Sequence, residues 1–138
     1  MEQLDHLITL VFGFGKQTKE YMKSATGITL SPGQLQALRY VQEYKNPLMK
    51  DLAEYLCVAP PSATSLIDQL VKLGHLTRVA DRGDRRIVRL EITAEGKREL
   101  KKSYQVMAKH LREVLTVLNK KEIENFITIL EKLYESNN

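Results

Sequence analysis

Residues 50–93 read KDLAEYLCVAPPSATSLIDQLVKLGHLTRVADRGDRRIVRLEIT, and the spacing of apolar residues changes within this stretch. Up to Leu73 apolar residues recur every three or four positions, as in an amphipathic helix. After Gly74, in the position of a helix C-cap, they alternate with polar residues, as in a strand with one buried face. The pattern predicts helices over 50–56 and 60–73 joined by a tight turn, then strands over 76–79 and 88–92 joined by the turn-forming segment 81–86.

The helix predicted over 60–73 has two different faces. Its inward residues are Ala63, Leu66, Ile67, Leu70 and Leu73, and its outward residues include the short polar side chains of Ser62 and Ser65. A helix that enters the major groove of DNA needs short side chains on the approaching face. A solvated helix face has the same composition, so this helix alone does not decide between the two interpretations. The candidate DNA contacts on it are Pro61, Ser62, Thr64, Ser65, Gln69 and Lys72.

The hairpin that follows is rich in arginine. Residues 78–89 contain five arginines and two aspartates, and guanidinium groups suit phosphates and narrow minor grooves. A charge run alone is usually a solvated loop. Here it directly follows a helix-turn-helix pattern, at the spacing of a wing, and the combination predicts binding to double-stranded DNA. We expect Arg82, Arg85 and Arg86 to contact DNA, with Asp84 bracing Arg86.

The flanking segments predict further helices. A helix over 4–23 is weakened by Gly13 and Gly15, where we expect a bend or a close approach to another backbone. Ser31 begins the next helix, and Leu48 and Met49 form a short extended piece before the helix at 50–56. Thr93 and Asn119 cap two long C-terminal helices.

The chain is therefore predicted to be mainly α with a small β wing, a winged helix-turn-helix flanked by helices. We expect one domain over 1–138, with a DNA-binding lobe over 31–93 and a dimerisation region over 1–24 and 94–136. The flanking helices carry apolar stripes too long for so small a core to cover, which predicts a homodimer. The candidate dimer contacts are Leu4, Leu7, Val11, Leu115, Ile123, Ile127 and Leu130.

Composition sets the broad class of the protein. The net charge of +4, from 21 basic and 17 acidic residues, permits a nucleic-acid partner without requiring one. A single cysteine, Cys57, excludes an internal disulfide, and we expect it to be a small buried hydrophobic residue rather than a redox switch. The N-terminus does not resemble a signal peptide, and no apolar run approaches the roughly 18 residues that span a membrane. These features predict a cytoplasmic protein without membrane association.

The chain resembles the MarR family of transcriptional regulators over nearly its whole length. The resemblance is carried by four segments in order: 30–38 (LSPGQLQAL), 52–56 (LAEYL), 60–70 (PPSATSLIDQL) and 84–96 (DRRIVRLEITAEG). It implies a homodimer with a recognition helix in the major groove of each half-site, and it matches Arg86 to the family's wing arginine and Asp84 to its bracing acid. Three positions depart from the family pattern. Ser65 and Gln69 stand where arginine is frequent, Pro61 replaces a more usual polar residue, and Cys57 stands where glycine is common.

The resemblance also implies a small aromatic or phenolic effector, held between the DNA-binding lobe and the dimerisation helices, that releases the protein from DNA. The candidate pocket residues are Tyr21, Met22, Tyr40, Tyr104 and Met107, although such side chains more often belong to a plain core. The sequence leaves repression and activation open; repression is our working expectation.

Two other functions compete with DNA binding as interpretations of the sequence. A protein-interaction module would use the basic wing against an acidic partner, and an enzyme would need a catalytic constellation. The three histidines are scattered, no serine, histidine and carboxylate arrangement can be argued, and Gly13–Thr18 lacks the glycine spacing of a phosphate loop. We therefore expect no catalytic residues, no metal ligands and no cofactor.

Overall fold

The computed structural model describes residues 1–25 and 27–137, so Thr26 and Asn138 of the predicted 1–138 domain lie outside the described residues. Six helices and one two-stranded antiparallel sheet make up the described chain. The elements are α1 Glu2–Ser24, α2 Pro32–Tyr44, α3 Met49–Leu56, α4 Pro60–Lys72, β1 Leu76–Ala80, β2 Val88–Ile92, α5 Ala94–Leu115 and α6 Lys120–Ser136. The mainly α fold with a small β wing is confirmed.

The chain divides into two compact units, Met1–Val106 and Met107–Asn138. The whole lobe predicted over 31–93 lies in the first unit. The boundary falls inside α5, rather than at residue 94 where the sequence analysis placed the start of the C-terminal helical region.

The core of the first unit forms where α2, α3 and α4 meet the hairpin. Its fully buried side chains include Leu38 of α2, Leu52 of α3 and Ile67 of α4, and Leu90 of β2 closes the cluster. Burying a side chain of this size contributes roughly 1.5–3 kcal/mol relative to exposure. Because three helices and the hairpin share one core, the outward face of α4 and the wing are held in a fixed relation.

The ends of the helices follow the predicted capping residues. Ser31 accepts a hydrogen bond from the backbone N–H of Gln34, whose side chain accepts one from the backbone N–H of Ser31. Asn119 and Glu122 form the same reciprocal cap at the start of α6. The Thr93 hydroxyl accepts from the backbone N–H of Gly96 at the start of α5.

The C-terminus of α4 ends in a left-handed glycine. Gly74 has φ 79°, and the backbone N–H of His75 donates to the carbonyl of Leu70 while that of Gly74 donates to the carbonyl of Val71. These two bonds define a Schellman motif. The chain then enters β1 without a linker, which fixes where the wing begins relative to α4.

The hairpin pairs β1 with β2 in antiparallel register, from Leu76 opposite Ile92 to Ala80 opposite Val88. Leu48 adds an isolated bridge to Arg89, so the segment before α3 lies along the outer edge of β2. Leu76 and Leu90 are buried at the base of the hairpin, whereas its far end extends away from the core.

Four details of the sequence analysis differ from the structure. Met49 begins α3, so only Leu48 is extended. Leu73 is 49% exposed because α4 ends at Lys72 and the chain turns toward Gly74. Val88 is exposed because it pairs at the far end of the hairpin, beyond the core. A Cβ atom added at the two α1 glycines would have no atom within 4 Å, so the close backbone approach expected there is not found within residues 1–25 and 27–137.

Each unit has a helix with an exposed apolar face. In the first unit, Leu4, Leu7 and Val11 of α1 are all more than half exposed. In the second, Ile127 and Leu130 of α6 are exposed, whereas Leu115 and Ile123 are partly buried. None of the helices in the described residues is both long and apolar enough to cross a membrane.

Candidate nucleic-acid interface

The outward face of α4 is a polar surface with little relief. Pro61, Ser62, Ser65 and Gln69, together with Leu66, line one shallow depression on it. The candidate DNA contacts on α4 (Pro61, Ser62, Thr64, Ser65, Gln69 and Lys72) are all exposed. Such a surface allows close approach of a flat partner, because its side chains at 61, 62, 64 and 65 are short.

One of these candidates already uses its hydrogen-bond donor inside the helix. The hydroxyl of Thr64 donates to the carbonyl of Pro60 at 3.0 Å. It can therefore only accept from a partner, whereas no bond within the described residues engages the hydroxyl groups of Ser62 and Ser65. The two serines remain the adaptable groups of this face.

The wing tip is organised by two aspartates. Asp81 accepts from the backbone N–H groups of Gly83 and Asp84, which closes the turn, and it also pairs with the Arg89 guanidinium. These hydrogen bonds, with that of Arg89 as the largest contribution, lower the pKa of Asp81. Local spacing does not reveal this role of Asp81, because its partner Arg89 is eight residues away on β2.

Asp84 holds the side chain of Arg86 by two hydrogen bonds. The guanidinium donates from Nε to Oδ1 of Asp84 at 3.1 Å and from a terminal nitrogen to Oδ2 at 3.0 Å, a bidentate arrangement. The Arg86 side chain is nevertheless 90% exposed. Its hydrogen bonds lower the pKa of Asp84 and raise that of Arg86, so both groups stay charged at neutral pH. The brace therefore fixes the direction of an exposed guanidinium.

The remaining arginines divide into structural and free ones. Arg78 of β1 pairs with Asp68 of α4, which joins the base of the wing to the helix beside it. Arg89 donates to the backbone carbonyl of Asn46 as well as to Asp81. Within the described residues, Arg82 and Arg85 make no ion pair and are exposed. Within the hairpin, the arginines without an ion pair therefore lie at the tip.

A contact that the sequence analysis missed links α2 to α4. The side-chain amide of Gln34 donates to Oε1 of Gln69 at 3.1 Å. The two residues are 35 positions apart, and no local spacing signals their proximity. Gln34 is recognisable in the sequence as a capping residue, but its contact with Gln69 depends on how α2 and α4 pack together.

The remaining candidates have separate surroundings. Cys57 is exposed, contrary to the expectation of a buried residue, because it ends α3 at a left-handed turn on the surface with φ 52°. Tyr40 stacks on Tyr44 and Tyr55 with ring centroids 4.5 Å apart, and partial burial raises its pKa. Among the other candidate pocket residues, Met22 is buried, Tyr21 and Met107 are partly buried, and Tyr104 is exposed. The described residues contain no group of three side chains suited to hold a metal ion.

Comparison with known proteins shows which proteins share this geometry. A sequence profile of the MarR family matches residues 26–87. The uncharacterized HTH-type transcriptional regulator YsmB of Bacillus subtilis is 29% identical over 104 residues, which cover 75% of this chain and 71% of YsmB. A MarR family protein from Bacillus stearothermophilus shares the fold with a TM-score of 0.88 at 23% identity, covering 98% of this chain and 95% of that one.

A mutant of MepR from S. aureus, solved bound to an oligodeoxyribonucleotide, has a TM-score of 0.69 at 17% identity, and the match covers 98% of each chain. The profile match contains α2, α3, α4 and the wing tip, which are the elements that carry the surface described above. Residues 26–87 thus resemble the MarR family, and nearly the whole chain shares the fold of a MarR family protein.

Proposed function

We propose that this protein is a transcriptional regulator that binds a specific double-stranded DNA sequence as a homodimer and has no enzymatic activity. The observation that carries the proposal is the exposed Arg86 guanidinium, held in a bidentate brace by Asp84 at the tip of a wing whose base is tied to α4. A side chain fixed in this way loses little conformational entropy when it enters a minor groove.

The basic residues and the polar residues of this surface would have different roles in recognition. Arg82, Arg85 and Lys72 supply free positive charge for phosphates, which gives affinity and salt dependence without sequence information. Ser62, Ser65 and Gln69 lie on the exposed face of α4, from which short polar side chains can reach base edges in the major groove. Pro61 shapes this face without donating a hydrogen bond, since its nitrogen carries no hydrogen.

The homodimer would present two copies of this surface to two half-sites. The exposed apolar faces of α1 and α6 give each unit a surface that a second copy can cover. In such a dimer the two α4 helices lie about one helical turn of DNA apart, roughly 34–36 Å. A change in that separation would weaken binding, which is how we propose that a small aromatic or phenolic effector releases the DNA. The proposed effector contacts remain Tyr21, Met22, Tyr40, Tyr104 and Met107.

The test is fluorescence anisotropy with labelled duplex from the region upstream of the protein's own gene, compared with a scrambled duplex over a salt series. We expect the native duplex to bind tighter by roughly 10³-fold or more, and we expect affinity to fall steeply as salt rises. Equal and weak binding of both duplexes, repeated with a randomised library that yields no enriched sequence, would exclude specific DNA recognition and favour a protein partner for the wing.

A further inference from the structure

A chain of three hydrogen-bonding groups runs from the start of α2 to the recognition face of α4. The backbone N–H of Ser31 donates to Oε1 of Gln34 at 2.9 Å. The Nε2 amide of Gln34 then donates to Oε1 of Gln69 at 3.1 Å. Gln34 is therefore part of the α2 capping box. It also connects that capping box to Gln69 by a hydrogen bond.

The direction of these bonds is set by the first donor. A backbone N–H can only donate, so the oxygen of the Gln34 amide must face Ser31 and its NH₂ group must face Gln69. Gln69 must therefore accept this hydrogen bond through its own side-chain oxygen. The Nε2 group of Gln69 is then the end of the amide that points away from Gln34, and it carries hydrogen-bond donors only.

The packing around this contact keeps the two helices close. A Cβ atom added at Gly33 would lie 3.3 Å from Cδ1 of Leu66, so the first turn of α2 lies against α4 next to Gln69. Gln34 itself is only partly exposed, and both of its amide ends are engaged. The amide of Gln69, although exposed, is therefore held by a partner whose own orientation is fixed.

We infer that Gln34 is a positioning residue that makes Gln69 a donor-only reader of bases, and this inference rests on the proposed DNA-binding function. A free glutamine pairs with adenine through both ends of its amide, because adenine offers N7 as acceptor and N6 as donor in the major groove. With its oxygen directed to Gln34, Gln69 instead suits bases that offer acceptors. Guanine offers N7 and O6, thymine offers O4, and cytosine offers only a donor. Guanine, thymine and adenine can therefore each accept from Gln69, guanine through two acceptors, whereas cytosine is disfavoured.

The decisive variant is Gln34→Glu, which reverses the polarity of the chain of bonds without removing it. One carboxylate oxygen of the new side chain still accepts from the Ser31 N–H, and Glu at this position is a normal member of the capping box. The other oxygen can only accept, so Gln69 must turn its NH₂ group toward α2 and its oxygen toward the DNA. The preferred base should change from guanine or thymine, which offer only acceptors, to cytosine, which offers only a donor. Adenine offers both and should respond least.

The experiment selects binding sites from a randomised duplex library with the full-length protein and with Gln34→Glu, Gln69→Ala and the double variant. Selected duplexes that differ only at the affected base pair are then compared by competition anisotropy. We expect the wild type to prefer guanine over cytosine at one position in each half-site by about 3- to 10-fold, the range of one net hydrogen bond. Gln34→Glu should invert that ratio, while Gln69→Ala and the double variant should both lose it.

The readout is the ratio of the affinities for duplexes that differ at this base, because a merely structural role of Gln34 would not change that ratio. The added negative charge of Gln34→Glu will weaken binding to all duplexes alike, and thermal melting of each variant checks that the fold is kept. An unchanged base preference in Gln34→Glu, beside a wild type that does select a sequence, would overturn the positioning role while leaving the proposed function intact. A wild type that selects no sequence would overturn both.

Discussion

Arg86 is held at the wing tip by a partner two residues away, so its direction is set locally. The bidentate contact with Asp84 survives at 90% exposure because the backbone N–H of Arg86 also donates to Asp84, which fixes the carboxylate itself. Surface ion pairs contribute little to stability in general. This pair therefore fixes the direction of the Arg86 side chain and contributes little to the free energy of folding.

Arg86→Ala should therefore weaken DNA binding without changing stability. We expect affinity to fall by about tenfold and the slope of log affinity against log salt to decrease by about 1, because one cationic contact is lost. Anisotropy titrations at several salt concentrations measure both quantities. Lys16→Ala is the matched control, since it removes one exposed positive charge from α1 rather than from the wing. Equal affinities for Arg86→Ala and the wild type would remove the wing from recognition.

The brace should also be insensitive to pH over the physiological range. Hydrogen bonds from Arg86 lower the pKa of Asp84 below its usual value of 3.8, so Asp84 is ionised in both folded and unfolded chains at neutral pH. The contribution of a carboxyl with a lowered pKa is fully present above the usual value and is lost as pH falls through the lowered one. The NMR shift of the Arg86 Nε–H should stay constant from about pH 7 to about pH 5 and change only below 3.8. A titration of that signal near neutral pH would contradict the brace, and Asp84→Asn should show the unbraced shift throughout.

At the scale of the elements, the turn of the helix-turn-helix contains a strained residue. Cys57 ends α3 in the left-handed conformation, with φ 52° and ψ 41°, and its backbone N–H bonds back to α3. A side chain in this conformation costs roughly 1–2 kcal/mol that glycine does not. This explains why glycine suits the position and why the exposed cysteine there is a departure.

Cys57→Gly should accordingly stabilise the protein. Part of the relief is offset by the greater freedom of glycine in the unfolded chain, so we expect a gain of about 0.5–1 kcal/mol in the free energy of unfolding. Chemical denaturation at a fixed protein concentration measures the change. Cys57→Ala keeps a Cβ atom in the left-handed turn and is the matched control. A gain of equal size in both variants would show that the thiol, not the backbone, is responsible.

Glycine is also favoured at the start of α5, but for a different reason, because a larger side chain would not fit there. A Cβ atom at Gly96 would lie 2.3 Å from the carbonyl oxygen of His75 and 2.9 Å from Cγ1 of Ile92. Gly96→Ala should destabilise the first unit by about 1–3 kcal/mol through overpacking. Thermal melting compares it with Gly15→Ala, where nothing lies within 4 Å of the new atom. A Gly96→Ala variant as stable as the wild type would contradict this packing.

Local patterns predicted the elements well and their mutual contacts poorly. Caps at Ser31 and Asn119 and the pair of Asp84 with Arg86 depend on residues within three positions, so spacing alone reveals them. The contacts of Gln34 with Gln69 and of Asp68 with Arg78 depend on how α2, α4 and β1 pack. The exposure of Leu73 has the same origin, since periodicity places a residue on a face but does not say where the helix ends.

At the scale of the whole molecule, the largest unexplained feature is the apolar face of α1. Leu4, Leu7 and Val11 lie on it, and Phe12 beside them is 75% exposed. Monomeric proteins rarely leave a contiguous apolar patch of this kind uncovered. The proposed occupant is a second copy of the chain, because a dimer also supplies the second recognition helix that a two-part operator needs.

Leu7→Asp tests this arrangement in full. A carboxylate placed on the α1 face would have to be buried in the dimer without a partner, which costs several kcal/mol per subunit. We expect light scattering coupled to size exclusion to report a dimer for the wild type and a monomer for Leu7→Asp, at concentrations where Lys16→Asp stays dimeric. Lys16 is the control because it is 78% exposed and lies on the opposite side of α1 from Leu7.

The monomer should bind a single half-site as the wild-type subunit does but lose the added affinity for two half-sites one helical turn apart, because the second contact is no longer tethered. A variant that is monomeric yet keeps full affinity for the two-part site would separate dimerisation from DNA binding, and a wild type that is monomeric at every concentration would leave the α1 face to another partner.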